Sequence, residues 1–116
     1  MPAYFRRPIM QPITPSYTVI NSAAAATIAI AAAVTGKKHY LLGIFVVAAG
    51  DTTVQLLSTA TALTGAISIN TDTGFVLPPG GKIAPIPWVE TAEGGALNLV
   101  NSAAIQISGV AIYCTD

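Results

Sequence analysis

Lys38-His39-Tyr40-Leu41-Leu42-Gly43-Ile44-Phe45-Val46-Val47-Ala48-Ala49, closed at once by Gly50-Asp51, is the stretch whose reading decides the fold. Lys37 and Lys38 lead into a nearly unbroken run of bulky, mostly β-branched or aromatic apolar residues. Such a run fits a strand covered on both faces better than one with a wet side. A helix is the rival, and three features count against it. Gly43 interrupts the run, Val and Ile are crowded at χ1 in a helix, and the turn arrives too early. At about 3.3 Å per residue the strand reaches roughly 35 to 40 Å. We expect it to be the central strand of an antiparallel β domain, its second face covered by its own chain or by a neighbouring subunit.

Working outward, Thr35-Gly36-Lys37 is the polar turn before this strand. Residues 23–34 are rich in alanine, a strong helix former, yet Thr27-Ile28-Ala29-Ile30 alternates with period two and is read as a strand. Residues 16–22 form a further short strand. Beyond Gly50-Asp51, residues 52–59 place Val54 and Leu56 on one face and Thr53, Gln55 and Leu57 on the other. Residues 61–70 continue that alternation, and Asn70-Thr71-Asp72-Thr73-Gly74 is a turn cluster. Residues 75–77 start a strand that Pro78-Pro79-Gly80-Gly81 stops. Pro85 and Pro87 confine residues 82–90 to a sheet edge. Two strands, over residues 96–100 and 103–114, complete the chain. The second changes phase at Ser108-Gly109, as a bulge at Gly109 would produce. About eight strands at a spacing of about ten residues, with no room for a crossover helix, point to an antiparallel sandwich or barrel.

Composition bounds the function. The chain has 116 residues, enough for one domain with a core. Hydrophobic residues make up 53% and charged residues 9%, with mean hydropathy +0.64. A soluble domain carries about 25% charge, so much of this surface is expected to be covered in the working state. Five basic and five acidic residues cancel. That balance offers no positive field for nucleic acid and no polybasic membrane patch. The alanine-rich apolar segment of residues 19–34 is too short and too polar for a span of about 20 residues. Four prolines by residue 15 break any signal-peptide core, so synthesis in the cytoplasm is the expectation.

Those prolines define an arm over residues 1–16, distinct from a β domain over residues 17–116. Pro2, Pro8, Pro12 and Pro15 forbid a helix and remove the donors of a central strand. Tyr4, Phe5, Ile9, Met10 and Ile13 lie between them, with Arg6 and Arg7. A free tail is usually poor in such apolar groups. We therefore expect an extended arm, about 50 Å long at most, docked on another surface.

No residue set carries an enzyme's chemistry. His39 has no apparent Ser or Cys and acid partner and is read as a strand-end histidine at a polar rim. Glu90 and Glu93 flank a turn rather than a sugar. Asp72 sits in a turn that lacks the glutamate and glycine positions of a calcium loop. Cys114, the only cysteine, excludes an intrachain disulfide and is read as a buried small apolar group. Trp88, beside Pro87, is read as an anchor for a subunit contact in preference to a sugar-stacking platform or a plug for an open end of the sandwich. We expect no catalytic residue, cofactor or metal.

Gly36-Lys37-Lys38, the apolar strand ending Ala48-Ala49-Gly50-Asp51, and Ser58-Thr59-Ala60-Thr61-Ala62-Leu63-Thr64-Gly65 recur in small virion proteins of tailed phages. So does Pro87-Trp88-Val89-Glu90-Thr91-Ala92-Glu93-Gly94-Gly95-Ala96-Leu97-Asn98-Leu99, with a closing strand through Ser108-Gly109 to Tyr113. From about residue 23 onward the chain resembles the small jelly-roll head decoration, or cement, proteins. The resemblance implies a jelly-roll sandwich that forms a homo-oligomer, often a trimer, on the outside of a capsid and contacts the major capsid protein. The expected function is thus non-enzymatic stabilisation of a virion shell. The alternative is a tail or head-fibre module that recognises host carbohydrate.

Overall fold

The computed structural model describes residues 14–80 and 86–116, and among them every regular element is a strand. In chain order these are β1 (Ser16–Ser22), β2 (Thr27–Ala31), β3 (His39–Ala48), β4 (Thr52–Ser58), β5 (Thr61–Ala62), β6 (Ile67–Ile69), β7 (Thr73–Leu77), β8 (Val89–Glu90), β9 (Leu97–Asn101) and β10 (Ile107–Thr115). Two antiparallel sheets pack face to face. The first runs β1-β10-β3-β7 with β8 also on β3; the second runs β2-β9-β4-β5 with β6 also on β4. The pairing is nested: β1 takes β10, β2 takes β9, β3 takes β7 and β8, and β4 takes β5 and β6. A long hairpin rolled over on itself gives this order, which is the jelly-roll form of the sandwich. The expected all-β antiparallel sandwich is therefore present. Its extended arm over residues 1–16 lies outside the described residues up to residue 13; Thr14 and Pro15 are exposed and lead directly into β1.

One expected strand is built in pieces, and two expected separately share one edge. The stretch over residues 61–70 pairs with β4 as β5 and β6, with Thr64 and Gly65 between them. β7 and β8 both pair with β3 and together make one interrupted edge, consistent with the prolines between them. The alanine-rich segment pairs only where it alternates, over Thr27–Ala31. A bulge at Ile30 turns both Ile30 and Ala31 into the core.

β3 is the central strand, but it is not covered on both faces along its whole length. Ile112 pairs with Gly43 and Tyr113 with Leu41, so Leu42 is the extra residue of a bulge. On one side of it His39 and Leu41 face inward, and on the other Ile44, Val46 and Ala48 do. One inserted residue exchanges the two faces of a strand, which is why the apolar run shows no alternation. Leu42 and Gly43 are also buried, with Pro79 standing over Gly43, but Phe45 and Val47 point to solvent. The bulge expected at Gly109 is absent: β10 pairs with β3 without interruption from Ile107 to Ile112. Val110 and Ile112 are apolar because the outer face of this sheet is itself apolar.

Between the sheets, Ile20, Leu41, Ile44, Val46, Ile107 and Ala111 meet Ile30, Val54, Leu56, Leu97 and Leu99 in one buried cluster. The Thr18 hydroxyl donates to the Ile30 carbonyl (2.6 Å), tying β1 to β2 across the open side of the sandwich.

Gly74 and Gly109 flank β3 at very close approach. A Cβ at Gly109 would collide with the Phe45 carbonyl oxygen, and one at Gly74 with that of Val46. Gly109→Ala and Gly74→Ala should each lower stability by about 2 kcal/mol or more, because backbone cannot give way as a side chain does. Gly65→Ala, where a Cβ meets open space, should be neutral or stabilising by about 0.4–1 kcal/mol. Urea midpoints at constant slope measure the contrast.

Candidate functional site

The outward side chains of the first sheet line up in register. Val19 lies opposite Val110, Val110 opposite Phe45, and Phe45 opposite Val76, making one apolar row across four strands. Tyr17, Ile112 and Gly43 form the row on one side of it. Asn21, Ser108, Val47 and Gly74 form the row on the other. No position in the three rows carries a charge. Tyr17 is 71% exposed, Val19 62%, Val76 65%, Val47 48% and Phe45 46%. Isolated exposed apolar residues are ordinary, but a contiguous row is the mark of an interaction surface. Where Ser108 and Gly109 lie between Val19 and Asn21 on one side and Phe45 and Val47 on the other, the face dips into a depression of about 430 Å³.

The outer face of the second sheet has a different character. Its rows read Thr27–Val100–Gln55 and Ala29–Asn98–Leu57, mixing amides and a hydroxyl with apolar groups. The asymmetry follows from sequence: β4 and β9 alternate apolar with polar, whereas β1, β3 and β10 place valine, phenylalanine and isoleucine on their outer side as well.

Trp88 stands at the junction of β7 and β8. Its backbone N–H donates to the Leu41 carbonyl (2.9 Å), and its indole Nε1–H donates to the Pro78 carbonyl (2.9 Å). The next residue, Val89, is buried in the core, so Trp88 points away from it. With its only donor engaged inside the chain, the indole presents an oriented apolar ring. The arm candidates Tyr4, Phe5, Arg6, Arg7, Ile9, Met10 and Ile13 lie outside the described residues.

His39 is not at a polar rim. It is buried, with Nδ1 2.7 Å from the Thr115 hydroxyl and Nε2 2.7 Å from the Ala32 carbonyl oxygen. A carbonyl oxygen only accepts, so Nε2 carries the proton and donates; in the neutral ring Thr115 donates to Nδ1. His39 N–H donates to the Thr91 hydroxyl (3.0 Å), and Thr91 N–H returns to the His39 carbonyl (2.9 Å). The histidine thus joins three segments. Glu90 pairs with Lys38 at 3.7 Å on the surface, whereas Glu93 belongs to a turn in which Gly94 donates to the Lys37 carbonyl. Asp72 has a left-handed backbone in the turn between β6 and β7. Among the described residues, no three His, Cys, Asp or Glu side chains converge as a metal site would require.

Asn101, which the sequence reads with Ser102 as a turn after the strand over residues 96–100, is instead the last residue of β9. Asn101 is buried; its Nδ2 donates to the Ala24 and Ile105 carbonyls, and its Oδ1 accepts from the Thr52 hydroxyl (2.7 Å). The signal was available, since Leu97, Leu99 and Asn101 share one parity and the first two face the core. No protein-family model matches the chain, and no curated protein matches it.

Asn101→Leu should cost about 2–4 kcal/mol, because buried acceptors and a hydroxyl lose their partner together. A second expectation concerns pH. Burial, then the charge of Asp116, push the Cys114 thiol above its ordinary range; burial, then Asp116 and Glu90, do the same for the Tyr40 phenol. Each raised group stays neutral in the folded chain while it ionises in the unfolded one. Their contribution to stability should therefore be fully present below the unfolded thiol range and be lost as pH rises through the unfolded thiol and phenol ranges toward the folded values. Thiol reagents should label Cys114 only at the rate of unfolding. Rapid labelling of the native chain at pH 8 would contradict the assignment.

Proposed function

We propose that this chain is a non-enzymatic structural protein of a phage virion. In this reading it self-assembles, as a trimer in the form the sequence resemblance implies, and binds the outer capsid surface to stabilise the shell. The observation that carries the reading is the uncharged row Val19–Val110–Phe45–Val76, flanked by Tyr17 and Val47, on the outer face of one sheet. Fully burying a side chain such as Phe or Val contributes about 1.5–3 kcal/mol, so a face of this kind has a strong reason to be covered. Assembly of many copies around a shell multiplies modest contacts. Trp88 serves as the anchor of a second contact, with the major capsid protein. The sugar-binding alternative would need the same indole as a stacking platform.

Purified full-length chain should sediment as a homo-oligomer, and Phe45→Asp should shift it to the 11.8 kDa monomer with the fold retained. A wild-type chain that is monomeric both in solution and on a particle would sink the proposal. Trp88→Ala should weaken particle binding by about 2 kcal/mol or more, roughly thirtyfold, without unfolding the sandwich. Loss of glycan binding with intact particle binding would instead favour the adhesin. Copy number discriminates further, since a shell protein occurs in hundreds of copies per particle.

A further inference from the structure

The outer face of the first sheet constrains what can cover it. It is uncharged, four strands wide, and bordered by β1, the strand that residues 1–13 lead into. Three strand spacings of about 4.8 Å make the row roughly 14 Å across. Pro8-Ile9-Met10-Gln11-Pro12-Ile13 is also uncharged, has three large apolar side chains, and spans roughly 19 Å at the polyproline rise of about 3.1 Å per residue. Its prolines make it a poor strand for edge pairing, since each lacks an N–H. They suit it instead to lie across a sheet face, with little entropy left to lose on docking.

We infer that this face is the docking site for the proline-rich arm of a neighbouring copy, with Ile9, Met10 and Ile13 laid across the row Val19–Val110–Phe45–Val76. The inference rests on the self-assembly proposed above. The arm of the same copy is disfavoured at the point of exit. Pro15 holds Thr14 extended, and Ser16 and Tyr17 are already in β1, so no turn forms there to fold the chain back over its own sheet. Passing each arm to the next copy is a heterologous contact, which closes into a ring where the rotation between copies divides a full turn.

The test uses full-length protein. Met10→Cys and Val76→Cys chains, differently tagged, are co-expressed and oxidised, and mixed disulfides are quantified by mass spectrometry. Val76 is exposed on β7, at the edge of the sheet away from β1. The mixed disulfide should exceed, by tenfold or more, that formed when Leu57→Cys on the opposite sheet replaces Val76→Cys. Equal yields overturn the inference, as does a doubly substituted Met10→Cys/Val76→Cys chain that links only within itself. A second readout avoids new thiols: Phe45→Asp should speed tryptic cleavage after Arg6 at least tenfold with the near-ultraviolet circular dichroism retained. Unchanged cleavage overturns the inference. An oligomer that gives no mixed disulfide rejects the arm contact alone and leaves self-assembly standing, whereas a monomer rejects both.

Discussion

The antiparallel pairing of β3 with β10 is the constraint on which the rest of the sandwich depends. These are the two interior strands of the first sheet, and their ladder runs from Ile107 opposite Ala48 to Thr115 opposite His39. β1 is held on the far side of β10, and β7 and β8 on the far side of β3. The pairing brings residues 107–115 against residues 39–48, so a long loop must close before the ladder returns any stability. Once it forms, the nested order of the remaining pairs follows: β9 is placed against β2 and β4, and the core closes between the sheets. Gly74 and Gly109 let the neighbouring strands approach β3 more closely than any other residue would permit.

Polar side chains close the ends of this apolar sandwich. His39, Thr91 and Thr115 bind the start of β3 to the end of β10 and to the segment after β8. Asn101 and Thr52 join the end of β9 to the loops on either side. Every buried side-chain nitrogen and oxygen among the described residues has a partner. Strand ends are where loop carbonyls lose water without gaining a ladder, so neutral hydrogen-bonding groups are most useful there. They achieve this without the desolvation that charged pairs would incur.

The two outer faces divide the molecule's surface into unlike halves. The second sheet exposes mixed polar rows, as an antiparallel sheet facing water normally does. The first exposes valine, phenylalanine and tyrosine in register, in a chain of which only 9% is charged. These facts have one physical explanation if the second side of that sheet is also an interior, supplied by another chain. Such a covering chain is what the assembly proposed above would supply.

What the sequence determined by itself was local. β1 over Ser16–Ser22 and the alternation of β4 were legible because strand period acts over a few residues, whereas of the expected turn Asn70–Gly74 the last two residues belong to β7. The proline-marked edge at β8 was legible for the same reason. The orientation of β3 was not. In a run apolar at every position, nothing local says which parity faces inward or where a bulge exchanges the faces. Leu42 was settled by pairing with β10, some 70 residues away in sequence, and Phe45 and Val47 were thereby turned outward. The same holds for Gly109, whose apparent phase change came from the apolar outer face, and for Asn101, whose burial arises from loops far from it in the chain. Side-chain direction in a strand is a property of the ladder it joins, and ladders of this kind exist only in the tertiary structure.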